Sequence, residues 1–99
     1  MKSLIKNINK IFDHRVRLGI MAALIVNEYV DFNTFKELLD VTDGNLASHL
    51  KTLEKEDYII IKKEFINKKP NTKYYVTKLG EKEFKKHIDA LEKLINKQK

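Results

Sequence analysis

Residues 41–53 read VTDGNLASHLKTL, a segment that opens like a helix, carries a glycine in its first turn and then sets small polar residues where a surface helix normally carries Glu and Lys. Thr42 is a strong N-cap residue, and Val41 before it with Leu46 at the fourth helical position has the spacing of a hydrophobic staple. The pattern predicts a helix from residue 43 to about 57. Leu46, Leu50 and Leu53 fall at i, i+4 and i+7 and form its inward spine. Asn45, Ser48, His49 and Thr52 share a matching spacing on another face, with Lys51 and Lys55 beside it.

Upstream, Asn33 or Thr34 caps a short helix carrying Phe35, Leu38 and Leu39, and Thr34 with Glu37 has capping-box spacing. Before it, Val16, Ile20, Met21, Leu24 and Ile25 form an apolar stripe on a helix expected over 14–27, with Asp13 as its cap. Leu4, Ile5, Ile8, Ile11 and Phe12 recur at helical spacing and predict a short N-terminal helix. Downstream, the β-branched run at 58–61, the turn signal NKKPN at 67–71 and a second β-prone run at 72–77 predict a two-stranded hairpin with a basic tip. Thr77 can cap a last helix to about residue 96, with Phe84, Ile88, Leu91 and Ile95 along one seam and Leu94 beside it.

Two short helices joined by a tight turn and followed by an antiparallel hairpin are the parts of a winged helix-turn-helix. The expected fold is mainly α with a small antiparallel β hairpin. The helix-turn-helix spans about 33–57, the wing about 58–77 and the C-terminal helix about 78–96, with dimerisation helices at both termini.

The 99 residues, 42% of them hydrophobic, suit one domain, 1–99, with one modest core. No run approaches the roughly 20 apolar residues of a membrane span, and MKSLIKNINK lacks a signal-peptide core, so a cytoplasmic protein is expected. Without cysteine, disulfides, thiolate metal sites and cysteine nucleophiles are excluded. The net charge of +6 favours a polyanionic partner such as nucleic acid. Its distribution is uneven: residues 1–27 carry +4 (five Lys/Arg, one Asp), 28–57 carry −5 (three Lys, eight Asp/Glu), 58–77 carry +4 (five Lys, one Glu) and 78–99 carry +3 (seven Lys, four Asp/Glu).

The side chains of Asn45, Ser48, His49 and Thr52 are short enough to sit close to a base edge, and Asn can bond adenine in bidentate fashion. Gly44 admits another backbone where a side chain would collide, and nearby free amides suit a phosphate. The alternative is that Gly44 relieves crowding against the preceding helix and the polar face is merely solvated. Lys62, Lys63, Lys68, Lys69 and Lys73, opposed only by Glu64, suit phosphate neutralisation. An edge hairpin protected from aggregation by lysine would look the same. Arg15 and Arg17 can support that surface or pair with Asp13. Tyr74 and Val76 are expected to pack inward and Tyr75 outward. The helix-turn-helix segment is itself acidic, although Asp43 suits the positive end of a helix dipole, so affinity is expected to rest on the wing and flanks.

The pattern from HRVRLGIMAAL through DFNTFKELLDVTDGNLASHLKTLEKEDYI to KPNTKYYVTKLGEKEF, roughly residues 12–90, resembles the small archaeal and bacterial winged-helix transcriptional regulators related to the MarR and ArsR families. Its most specific pieces are TDGNL at 42–46, His49-Leu50 and TKYYVT at 72–77. The resemblance implies that Thr42, Gly44, Asn45, Ser48, His49, Lys51 and Thr52 belong to a recognition helix that enters the major groove. It implies further that Lys62, Lys63, Lys68, Lys69, Asn71, Thr72 and Lys73 belong to a wing on the phosphate backbone or minor groove, with Arg15 and Arg17 in support. Terminal helices form a homodimer in that family.

Leu4, Ile5, Ile8, Phe84, Ile88, Leu91, Leu94 and Ile95 exceed the apolar surface a lone domain of this size is expected to bury. A homodimer reading a palindromic double-stranded DNA site, with half-sites about 34 Å apart, would use them; packing of both stripes on their own domain is the alternative. His14, His49 and His87 are far apart in sequence, and neither a phosphate loop nor a nucleophile motif is present, so no enzyme activity, cofactor or metal is expected. His87 with Asp89 or Glu83 is the pairing that spacing offers to a metal, and a solvated histidine on the dimer seam is the expectation. No small-molecule effector is inferred. The competing class is a winged-helix protein–protein interaction module, which would need neither the short polar face nor the lysine-tipped wing.

Overall fold

The computed structural model describes residues 5–96. Its elements run in the order 3-10 turn (Lys10–Phe12), α1 (Arg15–Ile25), β1 (Val30–Asp31), α2 (Phe32–Leu39), α3 (Asp43–Lys55), β2 (Ile59–Ile66), β3 (Lys69–Val76) and α4 (Lys78–Asn96). Among the described residues no helix is long and apolar enough to cross a membrane.

The N-terminal segment departs from expectation. Among the described residues no α-helix precedes α1; a turn at residues 5–7 is followed by the 3-10 turn, capped by Asn9, whose Oδ1 accepts the Ile11 N–H at 2.9 Å. Asparagine bonds its own backbone in preference to continuing a helix, and Phe12 turns inward until it is 1% exposed. Leu4 lies outside the described residues. α1 is capped by His14 instead of Asp13, with Nδ1 accepting the Val16 N–H at 3.1 Å. Val16, Ile20, Met21 and Leu24 are buried, whereas Ile25, the last residue of the helix, is exposed.

Asp31 caps α2 by accepting the Thr34 N–H at 2.8 Å, so neither Asn33 nor Thr34 is the cap. Asp31 holds the extended backbone a cap requires because it also ends β1, a strand the sequence pattern did not reveal. Two residues leave no period to read; the strand exists because Val30 and Asp31 meet Tyr74 and Lys73 of β3. Asp40 turns the chain out of α2 at a φ of 50°. Thr42 then caps α3 as expected, with Oγ1 accepting the Asn45 N–H at 3.2 Å. Leu46, Leu50 and Leu53 are 0%, 2% and 0% exposed. Full burial of each contributes about 1.5–3 kcal/mol.

The sheet is antiparallel and three-stranded, in the order β1-β3-β2. The hairpin turn is tighter than the 67–71 expected from the sequence. Only Asn67 and Lys68 form it, with φ of 53° and 66°, the two positive values that match the twist of flanking strands. Pro70 lies inside β3 opposite Phe65, and β1 reaches only as far as Lys73, so among the described residues no strand lies along its other edge.

α4 starts where Thr77 Oγ1 accepts the Gly80 N–H at 2.9 Å and donates to the Asp57 carbonyl at 2.7 Å. Gly80 is the close contact of this junction: a Cβ there would stand 2.1 Å from the Tyr58 carbonyl oxygen. The core gathers Phe12, α1, Phe35 of α2, the α3 leucines, Tyr58, Ile59, Tyr74 and Phe84.

Candidate nucleic-acid interface

α3 presents its polar side outward. Thr42, Gly44, Asn45, Ser48 and Lys51 are exposed, and Thr52 is half-buried with its hydroxyl donating to the Ser48 carbonyl at 3.2 Å. Among the described residues the Asn45 and Ser48 side chains hydrogen-bond no protein group. A Cβ built on Gly44 meets nothing within 4 Å, which removes crowding against α2 as the reason for this glycine. Asp43 is ion-paired with Lys36 of α2, which offsets the acidic charge at this helix start.

His49 is half-buried like Thr52 but, unlike its three companions, is held by side chains from the start of α1. Its ring packs against His14 with centroids 4.1 Å apart, and its Nδ1 accepts from Arg17 Nη1 at 2.9 Å. Burial first, then the neighbouring His14 and Arg17, hold the His49 imidazole below its ordinary value of 6.5. Arg17 also donates through Nε to the Ile11 carbonyl at 2.5 Å. It pairs with no acid among the described residues, and Arg15 stands exposed at the first turn of α1.

The wing lysines divide by strand register. Lys62 and Lys73 face each other on the outer side of the sheet, where Lys62 lies over the Tyr75 ring at 5.2 Å and Lys73 over Tyr29 at 4.4 Å. Lys73 also pairs with Glu64 at 3.4 Å. Lys63, Lys68 and Lys69 project into solvent, while Asn71 and Thr72 are half-buried. Tyr74 is buried inward and Tyr75 sits outward beside Tyr29, as expected. Sequence reasoning passed over Phe65, which stands 80% exposed near the hairpin tip, and over Tyr29, whose place beside Lys73 depends on β1.

The described residues expected at a dimer interface differ in burial. Phe84 is 8% exposed and packs edge-to-face on Phe12 at 5.3 Å, so it belongs to the domain's own core. His87 is no solvated seam residue: it is 2% exposed, its Nδ1 accepts the Asn9 N–H at 3.0 Å, and burial lowers its pKa. Ile8, Leu91 and Leu94 are half-buried, and Ile5, Ile88 and Ile95 are exposed. Among the described residues no three His, Cys, Asp or Glu side chains gather as metal ligands.

Comparison with known proteins also finds a winged helix. A family model described as a winged helix DNA-binding domain matches residues 16–95. The chain belongs to this family. An uncharacterised protein of Methanocaldococcus jannaschii is 43% identical over 79 residues, which cover 80% of this winged-helix chain and 86% of that one. The solved structure of a transcriptional regulator homologue from Pyrococcus horikoshii OT3 superposes with a TM-score of 0.85 at 32% identity, covering 96% of this chain and 92% of the other. A MarR-family transcriptional regulator from Silicibacter pomeroyi shares the winged-helix fold, with a TM-score of 0.68 at 14% identity; the match covers 96% of this chain and 63% of that longer one.

Proposed function

We propose that this winged-helix protein is a transcriptional regulator that binds double-stranded DNA sequence-specifically, with α3 in the major groove and the wing on the backbone or minor groove. The observation that carries this reading is the start of α3, where Gly44, Asn45 and Ser48 stand open to solvent while three buried leucines fix the helix behind them. The likeness to the Pyrococcus horikoshii regulator homologue over nearly its whole length supports it. The outer side of α3 carries no large apolar residue, which disfavours a protein-interaction module using the same face.

The protein acts as a single unit and as a homodimer. Ile88 and Ile95, seven residues apart on α4 and 40% and 61% exposed, supply the surface that a two-fold partner would cover. Two copies of α3 would then read a palindromic site.

Fluorescence anisotropy with genomic duplex fragments in a salt series tests the reading. Lys68→Ala with Lys69→Ala is expected to weaken binding to every duplex and to reduce the log–log salt slope by about 0.9 per lost phosphate contact. Asn45→Ala is expected to lose about 1–3 kcal/mol of discrimination at one base position instead. Retention of full binding and selectivity by both variants refutes the assignment. Ile88→Lys with Ile95→Lys should yield a folded monomer by sedimentation equilibrium.

A further inference from the structure

We infer that Arg17 is a positioning residue that holds His49 so that only an N–H faces the duplex, and that His49 thereby selects a base edge able to accept a hydrogen bond. The inference rests on the assignment of α3 as the recognition helix.

A guanidinium carries donors and no acceptor, so in the 2.9 Å contact between Arg17 Nη1 and His49 Nδ1 the ring nitrogen must be the acceptor. Nδ1 is therefore bare, and the single proton of the neutral imidazole sits on Nε2. The lowered pKa of His49 keeps that neutral form in place at physiological pH. His14 is constrained by the same logic, since its Nδ1 accepts the Val16 N–H at 3.1 Å. Its ring lies 4.1 Å from that of His49 at an interplanar angle of 37° and walls one side of it. Rotation of His49 to present Nδ1 outward would break the Arg17 bond.

Arg17 is itself committed. Its Nε bonds the Ile11 carbonyl at 2.5 Å while Nη1 holds His49, 32 residues further along the chain, tying the 3-10 turn through α1 to α3. This half-buried arrangement makes Arg17 a brace for the recognition helix instead of a free phosphate clamp. In the major groove, guanine offers O6 and N7 as acceptors, adenine N7 and thymine O4, whereas cytosine offers only its amino donor. A histidine that can only donate therefore excludes cytosine at the position it touches.

Two measurements test this. Long-range 15N–1H correlation on the free protein should show His49 as the Nε2–H tautomer, and Arg17→Met should turn it into a tautomer mixture. Selection of bound duplexes from a randomised library should give one position per half-site depleted of cytosine; Arg17→Met should relax that position alone, with the salt slope unchanged. His49→Ala leaves the Arg17–Ile11 bond intact and should lose the same positional preference even if Arg17→Met melts early. If Arg17→Met instead weakens all sequences equally and lowers the salt slope by about 0.9, Arg17 is a phosphate contact and the inference is overturned, while DNA binding by α3 stands. A His49 that is Nδ1–H in the wild type also overturns it. A wild type with the Nε2–H tautomer that retains no duplex removes the DNA-binding reading and this inference with it.

Discussion

α3 and α4 are both helices with an apolar side, yet α3 buries its three leucines to 2% exposure or less, while α4 buries Gly80, Phe84, His87 and Ala90 and leaves Ile88 and Ile95 at 40% and 61%. α3 lies between α1 and β2, so its inner face is covered along its length. The covered side of α4 meets Phe12 and the segment around Asn9 through Phe84 and His87, ahead of Ile88 and Ile95 in the helix. A stripe at helical spacing states that a helix has an inner side; the extent of its neighbours decides how much of that side the domain covers. The uncovered remainder on α4 is the surface we propose for a second copy, and the polar remainder on α3 the surface we propose for DNA.

The contrast breaks most directly in the core. Leu50→Ala is expected to cost about 2–5 kcal/mol in urea denaturation, whereas Ile95→Ala at low protein concentration should change stability by less than about 0.5 kcal/mol. Equal losses would mean that α4 is as fully packed as α3.

The glycines sharpen it next. Gly80→Ala places a Cβ against the Tyr58 carbonyl oxygen, which cannot move without shifting β2, and should lower stability by roughly 1–3 kcal/mol in a thermal melt. Gly44→Ala meets open space and should instead raise stability, by up to about 1 kcal/mol, while weakening DNA binding if the duplex backbone approaches there. A destabilised Gly44→Ala protein would argue that this glycine serves the fold.

The smallest effect concerns the buried side of α4. His87 has a pKa below its ordinary 6.5, because burial disfavours the charged ring more strongly than Asp13 favours it. On acidification the unfolded chain takes up this proton before the native one does, so the His87 contribution is complete above about pH 6.5 and is lost as pH falls through the lower native value. His49 carries the same sign. His87→Gln, which keeps an acceptor for the Asn9 N–H, should flatten the fall in melting temperature between neutral pH and about pH 5 without abolishing it.

The helix-turn-helix and wing were legible because their signals are local. The Thr42 cap acts on an amide three residues away, the leucine spine belongs to one helix, and the hairpin turn adjoins both of its strands. Local reasoning erred at two caps, naming Asp13 where His14 serves and Asn33 or Thr34 where Asp31 serves, because the cap depends on backbone set by packing elsewhere. It erred again at the N-terminus, where helical spacing around Phe12 reflected a demand for burial and not a helix.

Cap chemistry, side-chain periodicity and charge distribution, each acting over a few residues, were enough for the sequence by itself to determine the run from α1 to α4 apart from β1, the polar side of α3 and the basic wing. Tertiary structure alone decided that Asn9 meets His87 across 78 residues, that Arg17 meets His49 across 32, and that Phe84 packs inward while Ile95 does not. These are contacts between distant segments, and the free energy that selects them arises only when whole elements pack together and exclude water.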